Sequence, residues 1–322
     1  MKAIVQDAYG RAEVLRLDDI DAPEPDGGEV LVRVRAAGVD RGVWHLMTGQ
    51  PYVARLAIGF RRPRNRVPGM DVAGVVERAG TGVSGFAVGD EVFGIGKGTY
   101  AELAVAPAEK LVLKPEGLPF KQAAAVPVSG LTALHAVRDV GRVQAGQSVL
   151  VIGAAGGVGT YAVQMAKASG ATVTGVCSTA KLDLVRSIGA DHVVDYTRDD
   201  VVELGERYDV VIDIAGNRTL RRLRRVLAPK GTLVIVGGEE GGRWLGGIER
   251  NLWASLWSPF TGQRMRAFVS RERGEDIETL AEMIAAGRLT PVVERTFPLA
   301  DTADAIRYLE GGHARGKVVV TV

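Results

Sequence analysis

The sequence predicts an α/β protein in two parts: a β-rich first region of antiparallel character, then a doubly wound parallel sheet. Three observations carry this reading. From Ser148 onward, short and fully apolar runs alternate with helical segments, as parallel strands covered on both faces require. Before about residue 115, the strand-like runs instead alternate apolar with polar residues, and Gly, Pro and Asp punctuate them at short spacing. A chain of 322 residues, 46% hydrophobic and 24% charged, is long and apolar enough for two ordinary cores.

In chain order, Glu29–Val39 (EVLVRVRAAGV) reads as a half-buried strand, and Asp71–Ala79 and Thr99–Val105 read similarly. Gly80–Gly85 and Gly89–Asp90 supply turns, so an antiparallel barrel or sandwich is expected. The texture changes near Pro119, and Phe120–Arg142 has helical spacing. The apolar runs that follow are Val149–Ile152, Thr172–Val176, Val193–Val194, Asp209–Ile214 and Thr232–Val236. Glu239–Gln263 is irregular and Gly-rich, and holds Trp244, Trp253 and Trp257. Arg266–Ser270 is expected to be a last strand, Glu275–Gly287 an amphipathic helix and Lys317–Val322 a terminal strand.

Composition excludes several classes. Lys plus Arg is 40 and Asp plus Glu is 38, and a net charge of +2 argues for neither nucleic acid nor an anionic membrane. The single cysteine, Cys177, allows no internal disulfide and no four-cysteine zinc site. The most apolar stretch, Val149–Ala166, is broken by glycines and reads as strand, turn and helix rather than a membrane span. The opening MKAIVQDAYG carries no apolar leader, so the expected location is cytoplasmic.

Gly is 42 of 322 residues, about twice its usual share of roughly 7%. The strongest motif explains part of that excess. Ser148–Ala171 places a buried strand before Gly153-Ala-Ala155-Gly156-Gly157-Val158-Gly159 and a helix after it. Such a turn brings peptide N–H groups against a pyrophosphate and aims a helix N-terminus at it. The lysine and hydroxyl ending of a triphosphate-binding loop is absent, which argues against ATP. The next strand ends at Cys177-Ser178-Thr179-Ala180-Lys181. An enzyme using NAD places an acid near this point for the ribose hydroxyls. Here Ser178 and Lys181 suit a 2′-phosphate, so the expected cofactor is NADP(H); the alternative for Lys181 is a solvated residue at a helix start.

These segments resemble the zinc-free quinone oxidoreductase branch, zeta-crystallin-like, of the medium-chain dehydrogenase/reductase superfamily. The resemblance rests on Ala36–Asp40 (AAGVD), Pro68–Val76 (PGMDVAGVV), Gly89–Gly94 (GDEVFG), Tyr100–Pro107 (YAELAVAP), Val126–Ala133 (VPVSGLTA), Gly153–Gly159 and Gly316–Val320 (GKVVV). It implies a GroES-like β-barrel catalytic domain over 1–122 and a Rossmann domain over 123–271. It also implies a segment, 272–322, that returns to the first domain, and a cleft between the two domains. Zinc-dependent relatives keep Cys where Asp40 stands and His-Glu where Met70-Asp71 stands. These replacements do not suit zinc, so no metal is expected. His45 lies near where some relatives keep a proton-relay His, but reads rather as a surface or cleft-rim histidine.

By the same resemblance, Thr132 lies near the nicotinamide carboxamide, Tyr196 near the 2′-phosphate, and Gly237 and Gly238 beside the nicotinamide ring. Asn217 contacts the cofactor, with Ala155, Gly156, Gly157 and Val158 at the phosphates. The bland alternatives are a helix-side hydroxyl for Thr132 and a half-buried loop aromatic for Tyr196. Catalytic candidates in the first domain are Tyr52, as hydrogen-bond donor to a substrate carbonyl, and Asp40, lining the cleft floor. Their alternatives are an apolar wall and a turn cap. A homodimer is implied, pairing strands near Met265–Ser270. Arg61, Arg62, Arg64 and Arg66, and Arg218, Arg221, Arg222, Arg224 and Arg225, form two basic stretches; the second reads as the solvated face of a helix packed through Leu220 and Leu223. The expected activity is NADPH-dependent reduction of a quinone or an α,β-unsaturated carbonyl compound. The alternatives are a zinc-free alcohol or aldehyde dehydrogenase and a non-catalytic nucleotide-binding protein.

Overall fold

The computed structural model describes residues 1–237, 242–245 and 262–322, with positions 243 and 245 by backbone alone. These residues form two compact units. One is Met1–Leu131 with Glu272–Val322, and the other is Thr132–Arg271. The division falls inside a single helix, Pro127–Leu134.

In the first unit, β1 (Lys2–Val5) and β2 (Arg16–Asp19) pair as a two-stranded antiparallel ribbon. The larger sheet contains β3 (Glu29–Val39), β4 (Asp71–Ala79), β5 (Glu91–Ile95), β6 (Leu103–Pro107), β7 (Leu111–Leu113), β14 (Val293–Pro298) and β15 (Lys317–Thr321). Its order is β14-β15-β3-β4-β5-β7, with β6 also on β3. The length of β3 has a use: β4 runs along one edge, while the other is divided between β6, on Glu29–Arg33, and β15, on Ala36–Val39. Arg33 and Arg35 face outward, whereas Val30, Val32 and Val34 enter the core with Val72, Val76, Val92 and Val320.

The strand expected at Thr99–Val105 starts later, at Leu103. Thr99 and Tyr100 turn inward instead: Tyr100 N donates to Pro68 O at 3.1 Å and its hydroxyl to Gly38 O at 3.1 Å. The helical stretch expected over Phe120–Arg142 is three pieces: Phe120–Ala123, Pro127–Leu134 and a π-helical turn, His135–Val140. Pro127, which has no N–H to offer, can only begin a helix.

The second unit is a six-stranded parallel sheet. Its strands are β8 (Ser148–Ile152), β9 (Thr172–Cys177), β10 (His192–Asp195), β11 (Tyr208–Asp213), β12 (Leu227–Ile235) and β13 (Arg264–Ala267), in the order β10-β9-β8-β11-β12-β13. The last strand begins and ends earlier than the sequence suggests. Beyond it, Phe268 and Ser270 turn to His135, whose Nδ1 lies 3.0 Å from Ser270 Oγ and whose ring meets Phe268 edge-on. On the basic helix Leu220–Arg225, Leu220 and Leu223 are buried. Arg222 pairs with Asp200, Arg225 with Glu203 at 3.0 Å, and Arg224 Nε donates to Gln263 Oε1 at 3.0 Å. The solvated basic face is thus largely balanced by its own neighbours. Trp253 and Trp257, like most of the Trp-rich segment, lie outside the described residues; Trp244 is 74% exposed. No helix among the described residues is long and apolar enough to cross a membrane.

Candidate functional site

The strand order of the second unit creates a crevice. From β8 the chain winds outward to β9 and β10, then returns to lay β11 on the other side of β8. Connections from β8 and β11 therefore leave in opposite directions, the position where parallel sheets bind ligands. On one side is the glycine turn. Gly159 must be glycine: a Cβ there would lie 2.1 Å from Gly153 O. At Gly156, which precedes the helix Gly157–Ala168, a Cβ would meet only Gly153 O, at 3.5 Å. That side is open, and the helix N-terminus presents unpaired N–H groups and partial positive charge. The turn thus fits a pyrophosphate on observed geometry. Ala155 is buried, and Gly157 and Val158 are half-buried in the first turn of the helix. The other side follows β11: Ile214 N and Ala215 N both donate to Ile152 O, at 3.0 and 3.3 Å, and buried Asp213 accepts from Gly216 N at 3.2 Å. Gly237 N donates to Asp213 O at 3.1 Å, which brings it to this edge, and Asn217 is exposed just beyond. Gly238 lies outside the described residues.

Further along the edge, β9 ends at Cys177, followed by half-buried Ser178 and the turn Thr179–Lys181. Pairing of Asp195 with Cys177 sets Tyr196 beside that end; Tyr196 N donates to Cys177 O at 3.0 Å and its ring is 55% exposed. Ser178, Lys181 and Tyr196 therefore belong to one strand-end neighbourhood. The sequence reading missed Asp195, 7% exposed, although an acid directly before Tyr196 was the available signal. It accepts from the Thr179 hydroxyl, from Thr197 N at 3.0 Å and from Thr197 Oγ1 at 2.7 Å. These bonds, that from Thr179 foremost, hold its carboxyl below the usual range. Burial pushes the Cys177 thiol up to about 11, so it is no nucleophile.

In the first unit, both catalytic candidates flank the helix Arg41–Thr48. Asp40 is its N-cap: Oδ1 accepts from Val43 N at 3.0 Å. The capping alternative is therefore real, yet it uses one oxygen only; Oδ2 is buried without a hydrogen-bond partner. Tyr52 lies past the C-terminus of the helix, half-buried, its ring 4.6 Å from the Arg55 guanidinium, which also covers Tyr9. His45 Nδ1 is 2.9 Å from Gln50 O. Thr132 is half-buried on Pro127–Leu134.

The positions that hold zinc in metal-dependent relatives are otherwise engaged. Asp71 Oδ1 accepts from Val128 N at 2.8 Å and Oδ2 from Lys317 Nζ at 3.2 Å. A thioether, a capping carboxylate and a carboxylate already paired with a lysine do not fit zinc. Among the described residues no three His, Cys, Asp or Glu side chains gather as a metal site.

Comparison with known proteins agrees with this architecture. Residues 26–116 match the alcohol dehydrogenase GroES-like domain, and residues 188–320 match the zinc-binding dehydrogenase family. The chain is 36% identical to a chloroplastic NADPH-dependent alkenal/one oxidoreductase of Arabidopsis thaliana, over 99% of this chain and 79% of that protein. It is 34% identical to a 2-methylene-furan-3-one reductase of Solanum lycopersicum, over 99% and 79%. Among solved structures, a quinone oxidoreductase from Coxiella burnetii superposes with a TM-score of 0.87 at 30% identity, over 100% and 99% of the two chains. The chain belongs to the medium-chain dehydrogenase/reductase superfamily, with the quinone and alkenal oxidoreductases.

Proposed function

We propose that this member of the superfamily is an NADPH-dependent, zinc-independent reductase of quinones or α,β-unsaturated carbonyl compounds. The observation that carries the reading is the β8–β11 crevice, with an open glycine turn on one side and Ser178, Lys181 and Tyr196 further along the same edge. The nicotinamide, when bound, supplies a hydride, and the chain's task is binding and orientation. N–H groups at Gly157 and Val158 take the pyrophosphate, with Ala155 and Gly156 beside them; Gly156 N itself donates to Gly153 O at 3.2 Å. Ser178, Lys181 and Tyr196 take the 2′-phosphate. The charge of Asp195, which Thr179 and Thr197 hold in its ionised form, is offset in part by Arg198, whose Nε lies 3.7 Å from Oδ2. Thr132, Asn217, Gly237 and Gly238 belong at the nicotinamide half.

A quinone or enone already carries partial positive charge at the carbon that accepts the hydride. The oxygen that becomes anionic needs one hydrogen-bond donor, and Tyr52 O–H is our candidate. We assign Asp40, whose Oδ2 is buried without a hydrogen-bond partner, to the lining of the substrate site. The protein is read as cytoplasmic, and as a homodimer that pairs β13, the edge strand; sedimentation tests the assembly.

The test of the reading is a panel of quinones, enones, aldehydes and alcohols followed by NADPH and NADH absorbance. Quinones or enones should turn over with NADPH bound at least about tenfold more tightly than NADH, about 1.4 kcal/mol, and Lys181→Ala should erase most of that preference. Turnover of simple aldehydes or alcohols alone favours the dehydrogenase alternative, and equal affinities for the two cofactors overturn the 2′-phosphate assignment.

A further inference from the structure

Lys317, the first residue of β15, is 2% exposed, which is rare for a lysine. Its Nζ donates to Asp71 Oδ2 at 3.2 Å and to Ser129 Oγ at 3.1 Å. Asp71, itself fully buried, accepts from Val128 N through its other oxygen. The fourth side is backbone: a Cβ on Gly38 of β3 would fall 2.2 Å from Asp71 Oδ2 and 2.5 Å from Ala124 O. Residues 38, 71, 128–129 and 317 thus converge on one closed ion pair.

Stability alone does not account for such a pair. Taking both charges out of water is costly, and well-packed apolar residues often serve a fold as well. What the pair does hold is the first turn of Pro127–Leu134. Val128 N is one of the donors a helix leaves without an internal partner, and Ser129 lies on the same turn. One turn on from Ser129, at i+3, is Thr132.

We infer that Asp71, Lys317 and Ser129 are positioning residues, which fix the height and rotation of the helix Pro127–Leu134 and thereby hold the Thr132 hydroxyl for the nicotinamide carboxamide. The inference rests on the cofactor reading above and adds residues that touch neither cofactor nor substrate.

The experiment compares the full-length protein with Ser129→Ala and with the double variant Asp71→Asn/Lys317→Met, which leaves no unpaired buried charge and so keeps the fold. Two ligands are titrated by fluorescence: NADPH, and 2′,5′-ADP, which lacks the nicotinamide half. Both variants should bind NADPH at least about threefold more weakly, and 2′,5′-ADP should bind unchanged. Where turnover is measured, kcat should fall about tenfold or more, since a small misplacement of reacting groups is expensive in rate, and Ser129→Thr, which keeps the hydroxyl, should recover most of it. Equal loss of both ligands, or no loss of either, overturns the positioning role while leaving the cofactor reading intact. A wild-type protein that binds neither ligand overturns the cofactor reading and this inference with it.

Discussion

The proposed nucleotide edge of the second unit is made of backbone, whereas the buried cluster of the first unit is made of side chains. At the edge, the proposed function depends on what is missing: glycines leave room for a ligand and for a helix to approach its strand. In the first unit, the proposed positioning depends on what is filled, with Asp71, Lys317 and Ser129 closing on one another. The difference teaches that a backbone site can be built within a few consecutive residues. A charged buried site must draw its members from wherever the topology brings them together.

Substitutions at two glycines only three positions apart should break this comparison most sharply. Gly159→Ala forces a Cβ against Gly153 O, and should cost the fold about 1–3 kcal/mol as well as nearly all cofactor binding. Gly156→Ala meets only an ordinary contact at 3.5 Å, so its melting temperature should hold while NADPH affinity falls. Thermal melts beside cofactor titrations separate the two, and equal losses of stability at both positions would show that the open side of the turn is not a binding surface.

Tyr52→Phe comes next in size. If the phenol stabilises the developing oxyanion, kcat should fall by more than about tenfold while NADPH affinity holds. An unchanged kcat would move that role to solvent or to another residue.

The last test concerns pH. Burial pushes the Asp71 carboxyl up to about 7 from an ordinary 3.8, against the pull of Lys317. Between those values the folded protein keeps a proton that the unfolded chain has released. This group's contribution to stability is therefore present below pH 3.8 and is lost as pH rises through about 7. The melting temperature of the wild type minus that of Asp71→Asn should decline across that window and level off above it. A difference independent of pH would mean that Asp71 is ionised throughout in the folded protein.

Much of the fold was legible because its signals are local. The run Val149–Ile152, the glycines after it and the apolar runs that follow each announce an element on their own, and β3 and β4 match the alternation in their sequences. Thr99–Val105 misled because alternation cannot register that Tyr100 is drawn inward to Gly38 O. In the candidate site, Ser178 and Lys181 are proposed by counting from the glycines, and Tyr196 by the family resemblance. Asp195 was passed over because its meaning depends on Thr179 and Thr197 across a strand pairing. Lys317 carried no signal of burial at all: its position in GKVVV looks like an ordinary strand start, and only the proximity of Asp71, 246 positions away in the chain, changes its meaning.

The divided edge of β3 also bears on the order in which the protein can be made. Residues 36–39 of β3 pair with β15, which leaves the ribosome only after the whole second unit. A nascent chain therefore carries an unfinished first sheet, with an open edge and an Asp71 still lacking its cation, while the contiguous second unit has every strand it needs. The second unit is placed to fold first during synthesis, and the first to close last, when Lys317 emerges. Chains stopped before residue 317 would leave that edge and that carboxylate exposed to chaperones and proteases.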